Sequence, residues 1–166
     1  MAVNVIVQGN ELRLGNRVFR CALGRGGVST NKKEGDGCTP VGTFPLRESF
    51  YRADRLETVP ICSLPMRAIE RHYGWCDDVD DPCYNQFVLL PHAGRHEELW
   101  REDRLYDLIV VIGYNKDPVQ PGLGSAIFLH VARDNYGPTT GCVSIATEDL
   151  LSVMEQLSLG STITIS

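Results

Sequence analysis

The sequence predicts a mainly β fold, a β-sandwich or open barrel with one or two peripheral helices, and three observations carry that expectation. Short runs of alternating polarity fill much of the first fifty residues, two segments (107–113 and 125–131) are almost continuously apolar, and one stretch after residue 146 carries a clear helical stripe. Period-two alternation marks a half-buried strand. A short unbroken apolar run fits a strand covered on both faces, and recurrence at three and four residues fits a helix.

In chain order, residues 3–7, 11–14 and 17–22 read as strands, with Gly15-Asn16 as the two-residue turn of a hairpin. Residues 24–44 are rich in Gly, Lys and Asp and read as a long loop, a length that is usually functional or disordered. Thr39-Pro40 and Gly42 then lead into a strand over 43–50. The next forty residues hold Pro60, Pro65, Pro82 and Pro91 and read as mostly irregular, with a short strand over 86–90. Residues 95–104 (RHEELWREDR) are helix formers with a Glu98/Arg101 pair three apart, which predicts a short helix. Strands over 107–113 and 125–131 follow. The last helix is expected to start with Thr147 as its cap, carries Glu148 and Asp149 at its positive end, repeats Leu150, Val153, Met154 and Leu157 on one face, and stops at Gly160. A strand over 162–165 ends the series.

A chain of 166 residues fits one domain spanning 1–166. Its apolar fraction of 43% and charged fraction of 22% are those of a globular protein. The net charge of -5 argues against nucleic acid as a partner, because such affinity rests on many cation–phosphate contacts. No apolar run approaches the roughly 20 residues of a membrane-spanning helix, and the opening residues lack a basic start, so neither an anchor nor a signal peptide is expected. Six cysteines are too sparse for a disulfide scaffold. If one is a nucleophile the remaining five cannot all pair, so mostly free, partly buried thiols are expected, with a Cys76–Cys83 bridge left open.

The chemistry concentrates in residues 125–151, SAIFLHVARDNYGPTTGCVSIATEDLL. His130 lies near the end of an apolar strand, and Cys142 follows Gly141 twelve residues later. A loop of that length can return the thiol to the imidazole, which would accept the thiol proton and deliver it to a leaving amine. The thiolate is the nucleophile, so a neighbouring imidazolium or oriented amides are expected to lower the thiol pKa. Gly141, lacking Cβ, lets a carbonyl approach, and the amides around Gly141, Cys142 and Val143 form a candidate oxyanion hole. The spacing alone also describes an inert buried thiol and a histidine held by an ordinary hydrogen bond.

The segment HVARDNYGPTTGCVSI resembles the signature of the L,D-transpeptidase (YkuD-type) catalytic domain, in which a strand-borne His precedes a Thr/Ser-x-Gly-Cys block. GRGGVSTNKKEGDGCTPVGTF, GWCDDVDDPCYNQFV and YDLIVVIGYN are similar to further blocks of that family in the same order, covering the chain from about Gly24 to the last strand. The resemblance implies a β-sandwich or open barrel with Cys142 as nucleophile, His130 as general base and Gly141 in the oxyanion turn. It implies no metal or organic cofactor. The expected partner is the peptidoglycan stem peptide, attacked between meso-diaminopimelate and D-alanine and passed to an amine in a 3-3 cross-link, which suggests the periplasm or cell envelope. Many members carry a His before the Gly-Cys and an Arg two residues after the Cys, where this chain has Thr140 and Ser144. Arg133 is the alternative candidate for a substrate carboxylate, with a solvated loop cation as the rival reading. Thr140, Val143, Ser144, His92 and Tyr114 complete the expected substrate-binding set.

Other clusters are weaker. Cys76, Cys83, His92 and His96 can be drawn as a zinc set, but the cysteine spacing is wider than the usual two to four, so no metal is expected. The resemblance places Trp75, Tyr84, Asn85 and His92 near the cleft, although Trp75 and Tyr84 also read as props for an irregular segment. Lys32, Lys33 and Asp36 read as a solvated loop, with contact to substrate carboxylates as the rival reading. The glycines of 24–42 lack the Gly-Lys-Ser/Thr end of a phosphate loop. Rival functions are a thiol-dependent L,D-carboxypeptidase or hydrolase of peptidoglycan links, and a non-catalytic wall-binding module.

Overall fold

The computed structural model describes Met1–Ser166. Its elements are β1 (Asn4–Gln8), β2 (Glu11–Leu14), β3 (Arg17–Ala22), β4 (Val28–Ser29), β5 (Thr39–Pro40), β6 (Gly42–Tyr51), β7 (Met66–Ala68), β8 (Tyr73–Cys76), β9 (Phe87–Leu89), β10 (His96–Glu98), β11 (Leu108–Ile112), β12 (Phe128–Val131), β13 (Val143–Ile145), α1 (Thr147–Met154) and β14 (Thr162–Ile165). The main sheet runs β11-β12-β13-β3-β2-β1-β14-β6-β7, and β11 also pairs with β6, so the sheet closes on itself and leaves β7 outside the ring. The length of β6 permits closure. Its first residues pair with β14 and its later ones with β11, where the register shifts between Val110 and Ile112 and the sheet can bend.

Two cores follow from the period of β11. Leu108, Val110 and Ile112 point into the ring with Leu129, Val131, Val143 and Ile145, and α1 adds Leu150, Val153 and Met154. Ile109 and Val111 point the other way and join Phe128, Trp75, Leu99, Tyr106 and Cys142 in a second core. A three-stranded sheet, β10-β8-β9, supplies Trp75 to it. Burying each such side chain contributes about 1.5–3 kcal/mol, so both faces of β11 are strongly specified.

Several expectations are corrected. Residues 95–104 form no helix: His96–Glu98 pairs antiparallel with β8, and Leu99 is fully buried. Thr147 opens α1 rather than capping it; the cap is the extended residue Ala146, whose side chain makes no capping hydrogen bond. The helix ends at Met154, with Glu155 as its C-cap, well before Gly160. Strand β13, directly after Cys142, was not anticipated, and the 24–44 loop contains the short parallel pair β4–β5. All six cysteines are free. No helix is long and apolar enough to cross a membrane.

Candidate active site

The parallel pairing of β12 with β13 brings the two halves of the expected site together. His130 stands opposite Ser144 in that register, and Cys142 immediately precedes β13. Leu129 and Val131 take the ring interior, so His130 takes the outward face shared with Phe128. The approach to the thiol is tightly built. The Thr139 hydroxyl donates to the Cys142 carbonyl (2.6 Å) while its oxygen accepts the Gly141 amide (3.0 Å). Gly141 has a φ of +142°, and a Cβ there would lie 2.9 Å from the Cys38 carbonyl oxygen. Thr139 is joined to Leu23 and Arg25 by backbone hydrogen bonds, so the start of the 24–44 loop buttresses the turn that leads into Cys142.

Cys142 and His130 are each about 95% buried, yet both open into one cavity of about 160 Å³. Cys142 also lines a second cavity, of about 400 Å³, together with Lys32, Glu97 and Thr140. Cys142 therefore borders both openings. No hydrogen bond joins thiol and imidazole: the Cys142 S–H donates to the Ala126 carbonyl (3.2 Å) and its sulfur accepts the Phe128 amide (3.3 Å). His130 Nδ1–H donates to the Val131 carbonyl (2.9 Å), which fixes the tautomer and leaves Nε2 as an acceptor.

The electrostatics differ from the expected thiolate–imidazolium pair. Burial, then the Glu97 carboxylate, push the Cys142 thiol up to about 12, against the Phe128 amide and Lys32. Burial likewise holds His130 down to about 4. The resting pair is neutral thiol and neutral imidazole, because neither charge is solvated there.

The other expected residues divide. Arg133, Thr140 and Ser144 line the cavity of His130 and Cys142. Ser144 Oγ is buried without a hydrogen-bond partner. Arg101 in the same wall is held by Asp103, whereas Arg133 has no salt bridge. The Val143 side chain is sealed in the ring core, leaving only its backbone near the site. His92 and Tyr114 are not brought to these cavities: His92 pairs with Asp81 (3.0 Å), and Tyr114 donates to the Leu123 carbonyl (2.6 Å) and packs edge-on against Phe44. The Gly141 amide is spent on Thr139, while the Cys142 amide donates to no protein group.

Trp75 and Asn85 prop the site from behind. Asn85 Oδ1 accepts from the Trp75 indole and the Ala126 amide, and Ala126 in turn holds the thiol. Tyr84 bonds Glu34 (2.7 Å), which also accepts from Ser125. Lys32 is not a solvated loop cation: it is buried, binds Asp36 (2.9 Å), and its Nζ would lie 3.5 Å from a Cβ at Gly141. Glu97, Arg101 and Tyr106 are among the lining residues that sequence reasoning missed. Glu97 and Arg101 lay in the stretch read as a helix, and Tyr106 between that stretch and the strand over 107–113. As for metal donors, Cys76, Asp81 and His92 bring ligand atoms within 4.8 Å of one another, whereas His96 turns to the Gly94 carbonyl (2.8 Å), so the set drawn from sequence is not assembled as such.

A family model of the L,D-transpeptidase catalytic domain, YkuD, matches residues 4–165. A search of curated proteins finds no match. Among solved structures, the chain is similar to Mycobacterium tuberculosis L,D-transpeptidase 1, with a TM-score of 0.47 and 11% identity over 99% of this chain. It spans 58% of the length of that protein's chain.

Proposed function

This chain belongs to the family of YkuD L,D-transpeptidase catalytic domains, and from that premise we propose that it acylates itself on Cys142 with peptidoglycan stem peptides in the cell envelope. The observation that carries this reading is the opening of Cys142 and His130 into one cavity, with His130 Nδ1 committed to a carbonyl and Nε2 left as a proton acceptor. The single domain spans 1–166 in this reading.

With both groups neutral at rest, proton transfer accompanies attack instead of preceding it. The Cys142 thiol turns from the Ala126 carbonyl, His130 Nε2 takes its proton, and sulfur bonds to the carbonyl carbon after diaminopimelate. The free Cys142 amide faces the developing oxyanion, a kind of donor whose loss typically costs 10²–10³ in rate. The C–N bond to D-alanine breaks as His130 returns the proton to the leaving amine. In the second half, the amine of another stem loses a proton to His130, bonds to the carbonyl carbon and expels the sulfur, which recovers that proton. Arg133, free of an ion pair, is positioned for a stem carboxylate, the task the missing Arg at position 144 would have performed, and Ser144 Oγ offers a neutral hydrogen bond beside it. Thr140 lines both cavities.

Incubation with purified tetrapeptide stems and mass spectrometry test the reading. An acyl adduct on Cys142 and a 3-3 dimer are expected. Cys142→Ala should form neither, and His130→Ala should slow acylation by roughly 10²–10⁴. Loss of D-alanine without dimer would make the protein an L,D-carboxypeptidase, with water in place of the amine. If neither stems nor a carbapenem acylate Cys142, a wall-binding role replaces catalysis.

A further inference from the structure

Glu97 stands at the meeting point of the two cavities, lining both beside Cys142. One carboxylate oxygen accepts the Tyr106 hydroxyl at 2.6 Å; no other side chain bonds the carboxylate. Tyr106 is itself wedged edge-on against the His130 ring, with centroids 5.4 Å apart, and against Phe128, so the carboxylate is held in place.

The charges around it are arranged oddly for a thiol enzyme. Asp77 and Glu34 add negative potential at Glu97. Arg101, whose charge favours the Glu97 carboxylate, is bound through two hydrogen bonds to Asp103, and of the arginines in the second cavity Arg95 is bound to Asp77 while Arg25 is exposed. Lys32 is bound to Asp36, and Arg133 and neutral His130 lie along the first cavity. An anion at Glu97 works against the negative charge that gathers on the Cys142 sulfur as its proton leaves during attack.

We propose that the Glu97 carboxylate is a docking point for a primary ammonium group of the substrate, and that this bound cation offsets Glu97's opposition to negative charge gathering on the Cys142 sulfur. The proposal rests on Cys142 being the reactive thiol. The ligand class follows from the site: a compact ammonium can reach the open side of the carboxylate through either cavity, while Arg133 takes a carboxylate of the same ligand. An amino acid or peptide bearing both groups is selected, and the sulfur is activated when such a ligand is in place. Burial, the largest influence, raises the Glu97 carboxyl above the ordinary range, partly countered by Tyr106, as fits a charge that awaits a counterion.

Alkylation of Cys142 by iodoacetamide, followed as a function of pH by mass spectrometry of the Cys142 peptide, tests this without any turnover. The full chain is assayed alone, with meso-diaminopimelate, and with pimelate, which has the same carbon chain but no amines. Diaminopimelate should accelerate alkylation near pH 8 several-fold, and pimelate should not. Glu97→Gln should alkylate about tenfold faster than the unaltered chain, the equivalent of one unit in the thiol pKa, and should no longer respond to diaminopimelate. Glu97→Asp should keep the response. Equal effects of diaminopimelate and pimelate on the unaltered chain would overturn the proposal even if the variants fail to fold. So would a Glu97→Gln rate equal to that of the unaltered chain. Stems that acylate Cys142 alongside either negative result would leave the proposed reaction standing and remove Glu97 alone; absent acylation with a positive amine response would do the reverse.

Discussion

Gly141 illustrates how little freedom the nucleophile turn has. Its φ of +142° is a conformation that side-chain-bearing residues rarely adopt, and the Cys38 carbonyl closes the space a Cβ would need. Gly141→Ala is therefore expected to cost about 1–3 kcal/mol in urea unfolding and to lower Cys142 acylation at least tenfold, as the turn carrying the Cys142 amide is displaced. Acylation at the unaltered rate would show that the turn tolerates rearrangement. At this scale the shared cavity of Cys142 and His130 was legible because the two sit in one short segment with a recognisable pattern. Lys32 and Glu97 were not, because each reaches the cavity from an element far away in sequence. Nothing local in KKEGD or HEELW reports where those segments dock. The same holds for the expected lowering of the thiol pKa, which burial reverses.

Among the elements, β11 is the hinge between structure and site, since alternate residues serve the ring core and the second core that backs Cys142. Ile109→Ala removes volume only from the second core. A stability loss of about 2–5 kcal/mol is expected, accompanied by slower acylation because Phe128, whose amide bonds the sulfur, loses packing beneath it. Stability loss with unchanged acylation at a temperature where the variant is folded would separate that core from the chemistry. The strands 11–14, 17–22 and 162–165 were legible to the residue, because turn chemistry and alternation are local. Residues 95–104 were misread for the opposite reason: helix-forming side chains there meet a β8 edge that needs a partner, and Trp100 lies under the guanidiniums of Arg52 and Arg71. Tertiary pairing overrides a weak helical preference. Strand β13 escaped notice because three residues after a Gly-Cys carry no visible period.

For the whole molecule, the buried neutral pair sets a pH window. Acidification below roughly pH 6.5 lets the unfolded chain protonate His130, which the folded chain resists until about pH 4, so stability falls as pH drops through that interval. Above roughly pH 8.5 the unfolded chain ionises Cys142, which the folded chain resists until about 12, so stability falls again as pH rises. Asp36 adds a loss only at the acid extreme: burial would raise its carboxyl, but the amides of Cys38 and Lys33 and the Lys32 ammonium hold it down to about 2, and its contribution disappears below roughly pH 3.9. Urea midpoints from pH 4 to 10 should trace a plateau between the two limbs. His130→Gln should flatten the acid limb and Cys142→Ala should reduce the alkaline one, where Cys21, pushed up to about 11 by burial, supplies the remainder; limbs unchanged in these variants would assign the pH dependence to other groups. The ring has a temporal consequence as well. Strand β14 lies between β1 and β6 and runs parallel to β1, joining residues 4 and 162. While the chain is being synthesised, those two strand edges wait unpaired until β14 emerges from the ribosome, so the ring can shut only after translation has passed residue 165, and high contact order makes that a slow step.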